Sequence, residues 1–428
     1  SLADEEQQAL LASFNQTAVS FPNPCGTIIE MFKQQVERVP DNIAVVFEEN
    51  TYTYKALDEI TDKLARKLKT LGFGAEQVVG VLIDRSEWMV IYPLAVLKAG
   101  GAYMPLDPTF PSDRLNFMLT DAGVKIILSE PNKVADHIPQ FDGIVVTPSD
   151  LALATVDDSI SLPLPAPQDM FVILYTSGST GLPKGCVLEH HNLTNYCQWH
   201  QAYFSVTEND RSGAYANFAF DAHMLDIYPF LTCGAAAYII PAALRLDFIS
   251  LNRYFEANRI SITLMTTQLG RQFVEQIGNK SLRALLVGGE KLLPVKKPPY
   301  AFYNLYGPTE CTIAATAYEI QHDYDSAIIG KPLTNCELYV LDASLQLVPA
   351  GVPGELCIGG DGVGRGYLNR DEVTAEKFIV WNENRIYRTG DLVRWTVSGE
   401  IEYLGRMDGQ IKLRGLRIEL GEIESHIL

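Results

Sequence analysis

FVILYTSGSTGLPKG, residues 171–185, passes from an apolar run straight into hydroxyls, glycines and one lysine. The first five residues read as a strand buried on both faces, because no polar residue alternates with the apolar ones. The strand cannot continue: Gly178, Gly181 and Gly185 punctuate the second half of the stretch, and Pro183 removes a backbone donor. Glycines let backbone N–H groups approach an anion closely. Thr176, Ser177, Ser179 and Thr180 add hydroxyl donors, and Lys184 adds charge. Those are the ingredients of a phosphate cradle. The spacing is not GxxxxGK[ST], so this is not the common nucleotide P-loop. A polar turn between strand and helix, carrying a solvated lysine, is the plain alternative.

The flanking sequence sets the architecture. Leu57, Ile60, Leu64, Leu68 and Leu71 recur at three- and four-residue steps before Gly72, which predicts a helix over 54–71. VVGVLI (78–83) predicts a short buried strand, and a helical stretch follows over 87–98. Similar apolar runs are VKIIL (124–128), GIVV (143–146), AAAYII (235–240), ISITLM (260–265) and ALLVGG (284–289). Helical stretches separate many of them, so the predicted fold class is α/β, with two helix-flanked, largely parallel sheets. After about residue 330 the strands shorten and Gly, Pro, Asp and Ser break them, as in residues 336–360 and 385–415. That predicts a mostly antiparallel unit, a small β-barrel subdomain. SLPLPAPQD (161–169) reads as an exposed connector, and SLADEEQQALLASFNQ (1–16) as an acidic leading helix.

Composition narrows the function classes. The net charge of -18, from 34 Lys and Arg against 52 Asp and Glu, argues against nucleic acid as a main partner. No apolar run reaches the roughly 18–20 residues that span a bilayer, so no membrane partner is expected. The seven cysteines are scattered, with no CxxC, which points to free thiols in a reducing cytoplasmic setting rather than to disulfides or zinc. His190 and His191 are adjacent, and no HExxH occurs.

YTSGSTGLPKG (175–185) resembles the phosphate-loop signature of the adenylate-forming superfamily: acyl-CoA synthetases, luciferases and the adenylation domains of nonribosomal peptide synthetases. LKAGGAYMPLDPTFP (97–111), FDAHMLDIYP (220–229), NLYGPTE (304–310), GELCIGGDGVGRGYLNR (354–370), YRTGDLVRW (387–395) and GRMDGQIKLRGLRIELGEIE (405–424) resemble, in order, the core motifs of those adenylation domains. The resemblance implies ATP-dependent activation of an amino acid as its aminoacyl adenylate, with pyrophosphate released and Mg²⁺ as cofactor. Capture by the phosphopantetheine thiol of a peptidyl carrier protein would follow, with neighbouring synthetase domains as further partners. In-line displacement at phosphorus needs positioning and charge neutralisation more than a nucleophilic side chain.

The resemblance also implies roles. Thr176, Ser177, Gly178, Ser179, Thr180 and Gly181 would wrap the β- and γ-phosphates, and Lys184 would steady the loop or the pyrophosphate. Asn304 would meet the adenine amino group and Tyr306 stack on the ring, with Gly289 and Gly307 beside them. Thr309 would bond the α-phosphate and Glu310 would hold Mg²⁺, a hard cation that takes carboxylate oxygens. Asp391 would accept both ribose hydroxyls, with Tyr403 and Arg406 as further nucleoside contacts and Asp408 as a hinge. Asp221 would pair with the α-ammonium of the substrate; its plain alternative is an N-cap ahead of AHMLDIYPFL. Ala222, Leu225, Thr263, Leu286, Gly288, Leu305, Ile313 and Ala314 would line the amino-acid pocket. None is charged and only Thr263 is polar, so an uncharged, mainly apolar or aromatic side chain is expected. His223 and Phe204 are large residues expected near its mouth.

In these terms residues 1–190 form a first α/β subdomain with the phosphate loop, and 191–330 a second with the amino-acid pocket. Residues 331–407 form the small barrel, and 408–428 the hinge and the start of a C-terminal domain that is truncated or missing. That domain carries, in the family, a lysine bridging substrate carboxylate and ATP. LLASFNQT (10–17) resembles the linker that follows an upstream condensation domain. Two other readings stay open: an acyl- or aryl-CoA ligase of the same superfamily, and a non-catalytic ATP-binding core.

Overall fold

The computed structural model describes residues 4–21, 26–153, 157–177, 182–408, 411–413 and 416–418. The chain divides into two compact units. One is residues 25–175 with 185–261; the other joins residues 1–24, 176–184 and 262–428.

The unit built from 25–175 and 185–261 holds a sheet with strand order Lys184–Glu189, Met170–Thr176, Ala102–Leu106, Val78–Leu82, Ile126–Ser129, Ile144–Val146. Val78–Leu82 runs parallel to both Ala102–Leu106 and Ile126–Ser129. Every residue of these three strands is buried, which is why their sequences are apolar without alternation. The helix Tyr54–Thr70 starts on Thr53, whose hydroxyl accepts from the Ala56 N–H at 3.2 Å, and buries Leu57, Leu64 and Leu68. The helix Trp88–Lys98 is buried from Met89 onward and correspondingly apolar all round. Its last residue, Lys98, is 1% exposed and meets Asp58 and Asp62 at 2.5 and 2.6 Å, so its charge is paired where water cannot reach it. A second group of strands in this unit pairs Arg211–Ala214, Ala236–Ile239 and Ile43–Phe47 in parallel, with Asn50–Thr53 closing a hairpin.

In the other unit Ile262–Thr266, Ala284–Gly288 and Ala301–Tyr306 pair in parallel. Thr316–Glu319 then adds antiparallel, followed by Ile328–Pro332, Ile401–Arg406, Asn384–Trp395, Gly354–Gly360 and Cys336–Leu341. Among the described residues the strands of the expected barrel therefore form an antiparallel sheet with no closing pair. Ile328–Pro332 pairs on to Thr316–Glu319, so the short strands continue the parallel ladder instead of closing on themselves. The outer edge at Cys336–Leu341 is covered by the segment after the leading helix Asp4–Phe14. Asn15 Nδ2 donates to Leu338 O at 2.9 Å, Leu338 N–H donates back to Asn15 Oδ1 at 2.8 Å, and Thr17 Oγ1 donates to Cys336 O at 2.7 Å. Phe14 packs on Trp395 with ring centroids 4.9 Å apart.

Cys186, Cys197, Cys233, Cys311, Cys336 and Cys357 are free thiols. Among the described residues no helix is long and apolar enough to cross a membrane. The connector over 161–169 is mostly exposed and carries no regular structure before its closing turn.

Candidate active site

The strand Ala301–Tyr306 delivers two side chains and then stops. Its sequel turns tightly through Gly307, where a Cβ would stand 2.4 Å from Ala314 Cα; only glycine allows that approach. Thr312 and Ile313 then take left-handed backbone (φ 57° and 73°), costly for β-branched residues. Thr312 Oγ1 donates to Gly362 O at 2.7 Å and fixes the turn. Asn304 is 3% exposed, and the Tyr306 hydroxyl donates to Asp391.

Asp391 lies on Asn384–Trp395 opposite Arg406, its partner on Ile401–Arg406. Arg406 Nη1 donates to Asp391 Oδ1 at 3.0 Å and to Thr389 O at 2.8 Å, while Arg406 Nε donates to the exposed Asp408 at 2.9 Å. The Asp391 backbone is held too: its N–H donates to Thr389 Oγ1 at 2.9 Å. One residue back, Gly390 N–H donates to Glu355 Oε1 at 3.1 Å, and Glu355 Oε2 accepts from Arg388 Nη2 at 2.7 Å. Desolvation of its hydroxyl end, and then the Asp391 charge, push the Tyr306 phenol well above its usual range. The same two causes raise Tyr403, whose ring centroid is 6.2 Å from that of Tyr306. Both hydroxyls therefore stay protonated. Tyr306, Asp391, Tyr403, Asn304, Gly289 and Glu290 are among the residues lining one pocket, ≈ 510 Å³ counted to its open mouth.

A second cluster in the same unit gathers around Tyr367. Lys184 is 8% exposed, so it is not the solvated lysine of the plain alternative, and its Nζ stands 4.3 Å from the Tyr367 ring centroid. The Tyr367 hydroxyl donates to Glu310 Oε1 at 2.6 Å and lies 3.4 Å from that of Tyr387. Glu310 is fully buried in the 3₁₀ turn Thr309–Cys311, and Gly364 N–H donates to its carbonyl at 2.9 Å. Thr309 is half-buried at the start of that turn. Ser177 is buried and Thr176 closes the strand Met170–Thr176; Gly178, Ser179, Thr180 and Gly181 lie outside the described residues.

The proposed pocket residues divide by strand register. Cα partners on adjacent strands share a sheet face. Leu264 pairs with Leu286, Gly288 with Leu305, and Leu286 lies two residues from Gly288, so these four share one face. Thr263 pairs with Leu285 and looks to the opposite face, the one bearing Val287 and Asn304. Thr263 therefore does not share the face of Leu286, Gly288 and Leu305, whereas Leu264, 7% exposed, does. Ala314 is 5% exposed and Ile313 half-buried.

In the other unit Asp221 and Ala222 are half-buried and Leu225 is 1% exposed. Asp221 precedes the helix Ala222–Leu231 in αR backbone and makes no side-chain cap bond, so the capping alternative is not realised. His223, expected near a pocket mouth, is instead 1% exposed, with Nε2 2.7 Å from Tyr103 Oη and Nδ1 2.6 Å from Phe220 O. Phe204 is 4% exposed and packs on Trp199 and His200. Asp226 and Arg85 were not apparent from sequence. Asp226 Oδ2 accepts the N–H groups of Tyr215 and Ala216 at 2.9 and 2.8 Å. Arg85 donates to the carbonyls of Ala214, Ala216 and Ile240 and so fixes the chain ends leading towards Asp221. Asp226 stands five residues after a motif aspartate and Arg85 beside an apolar run; neither setting signals a buried carboxylate or a guanidinium turned on to backbone carbonyls.

A family profile described as AMP-binding enzyme matches residues 32–368. Bacitracin synthase 1 of Bacillus licheniformis is 42% identical over 431 residues, covering 100% of this chain and 8% of its own length. The solved structure of the nonribosomal peptide synthetase FmoA3 in its AMPPNP-bound form superposes with TM-score 0.86 at 27% identity, over 95% of this chain and 45% of that one. That of holo-AB3403, a four-domain nonribosomal peptide synthetase bound to AMP and glycine, superposes with TM-score 0.81 at 30% identity, over 96% and 31%. The chain thus spans less than half of each of these proteins.

Proposed function

Because the chain belongs to the AMP-binding enzyme family, as an adenylation domain of the nonribosomal peptide synthetase kind, we propose that it activates an uncharged, mainly apolar or aromatic amino acid with ATP. The products are the aminoacyl adenylate and pyrophosphate, and the acyl group passes to the phosphopantetheine thiol of a carrier protein in a longer synthetase. The free thiols agree with a cytoplasmic setting.

The observation that carries this reading is the Tyr306–Asp391–Arg406 cluster at the pocket. A carboxylate offers about four lone-pair directions. Tyr306, Tyr403 and Arg406 orient Asp391, a ribose hydroxyl takes the acceptor capacity that remains, and Tyr306 and Tyr403 supply ring surface for a base. Thr176, Ser177 and Lys184, with the loop residues between them, take the phosphates. Thr309 takes the α-phosphate, where the substrate carboxylate attacks and pyrophosphate leaves. Glu310 fits a divalent metal: it is a buried hard-oxygen donor, and Mg²⁺ is commonly held by one or two carboxylates with phosphate oxygens completing its shell. When bound, the metal neutralises phosphate charge. Asp221 pairs with the α-ammonium, and Leu264, Leu286, Gly288 and Leu305 take the side chain. None of those four side chains is polar, so they offer a charged substrate side chain nothing to replace its hydration.

ATP titration by calorimetry, together with ATP–pyrophosphate exchange over the proteinogenic amino acids, tests this. ATP binding lost in Asp391→Ala, with exchange stimulated by apolar or aromatic amino acids in the parent, supports the reading. Exchange stimulated only by aryl or fatty acids would make the protein a CoA ligase instead. ATP binding without any exchange would leave an ATP-binding core.

A further inference from the structure

We propose that Tyr367 is a positioning residue that holds the phosphate-loop lysine, Lys184, and the Glu310 carboxylate in register through one phenol. This rests on the reading of those two residues as phosphate and metal groups. The geometry uses both ends of the side chain. The ring takes the Lys184 ammonium at 4.3 Å from its centroid, and the hydroxyl donates to Glu310 at 2.6 Å. A ring face attracts an ammonium without consuming an N–H donor, so this contact locates Lys184 without drawing on its hydrogen-bonding capacity. The hydroxyl stabilises the ionised form of a fully buried carboxylate, the form a hard cation needs. The two contacts reinforce one another, because donating to an anion makes the phenol more electron-rich.

Tyr367 is itself well fixed. Its N–H donates to Thr374 Oγ1 at 2.9 Å, on the helix Asp371–Lys377, and its ring meets Phe378 edge-on with centroids 5.4 Å apart. The preceding loop is pinned by Arg385, which donates to the carbonyls of Gly364 and Arg365, both at 2.7 Å. So much anchoring of a residue that touches two proposed catalytic groups, and is itself neither, is what a positioning role requires.

The test compares ATP affinity by calorimetry in EDTA and in Mg²⁺ for the parent, Tyr367→Phe and Tyr367→Leu, with near-ultraviolet dichroism and Tm as fold controls. Tyr367→Phe keeps the ring and loses the donor. It should bind ATP in EDTA within about 2-fold of the parent, while the gain on adding Mg²⁺ falls by about 10-fold. Tyr367→Leu loses the ring as well and should also bind about 5-fold more weakly in EDTA. A full Mg²⁺ gain in Tyr367→Phe overturns the assignment, as does parental EDTA affinity in a folded Tyr367→Leu. If Tyr367→Leu does not fold, Tyr367→Phe alone decides. A parent that binds no ATP in either buffer instead removes the reading of Lys184 and Glu310, and the assignment with it.

Discussion

Asp221 sits where an N-cap would, but its backbone is already helical and its side chain makes no cap bond. Capping is therefore not its purpose, and the proposed role of meeting a substrate amine is tested by substitution. Asp221→Ala should leave ATP affinity within about 2-fold and cut amino-acid-dependent exchange about 100-fold or more, in line with the ~3 kcal/mol lower limit for breaking a desolvated pair. Two buried histidines give a pH prediction. Burial, only partly opposed by the bond to Phe220 O, holds His223 down to about 4; burial, then His191, takes His190 to about 3. Phe220 O can only accept, so Nδ1 of His223 carries the proton and Nε2 accepts from Tyr103. Unfolded histidines titrate near 6.5, so the unfolded chain takes up protons first as pH falls. Stability is full above about pH 6.5 and declines as pH drops towards 4 and then 3, by on the order of 3 kcal/mol for His223. Neither ring nitrogen of His190 makes a hydrogen bond among the described residues, and the ring faces Phe171 edge-on. His190→Phe should flatten that acid limb, read as urea midpoints from pH 7 to 4.

The strand Ile262–Thr266 marks where sequence reading stops. Its existence follows from ISITLM, as Val78–Leu82 follows from VVGVLI and Tyr54–Thr70 from its three- and four-residue repeat. Its facing does not. A strand covered on both sides has no polar alternation, so nothing local distinguishes Thr263 from Leu264. Only the pairing with Ala284–Gly288 does so. Leu264→Ala should therefore shift which amino acids stimulate exchange, and Thr263→Val should not; parental selectivity in the first would reverse the assignment of faces. The barrel expectation failed for a related reason, since closure depends on which edges pair and no segment records that about itself. Tyr367 stood inside a recognised motif, but its worth comes from Lys184 and Glu310, distant in sequence. The proposed nucleoside residues can be named from the sequence because NLYGPTE and YRTGDL each carry their side chains in one short run. Gly330 offers a check on the strand path: at φ +96° a Cβ would lie 2.0 Å from Ala317 O. Gly330→Ala should lower stability by about 2 kcal/mol or more, measured by chemical denaturation.

At the scale of the whole molecule, the unit that carries the proposed nucleotide residues is finished by a segment from the start of the chain. Asn15 and Thr17 satisfy the outward backbone groups of Cys336–Leu341, an edge that would otherwise invite another strand. Removing residues 1–19 should lower Tm by several degrees and promote self-association, read by calorimetry and light scattering, with the unit of 25–175 and 185–261 retaining its native dichroism. The unit so completed draws on three stretches of chain, 1–24, 176–184 and 262–428. That arrangement imposes a timetable on biosynthesis. A ribosome that has delivered Ser261 has issued all of the other unit, whereas Ile401–Arg406 emerges up to 145 residues later (406 − 261). At about 5–20 residues per second the lag is roughly 7–30 s. For most of it Thr176–Lys184 exists on the nascent polypeptide without Asp391, and for nearly all of it without Arg406, so the proposed binding of ATP lends its energy only to the last stage of maturation.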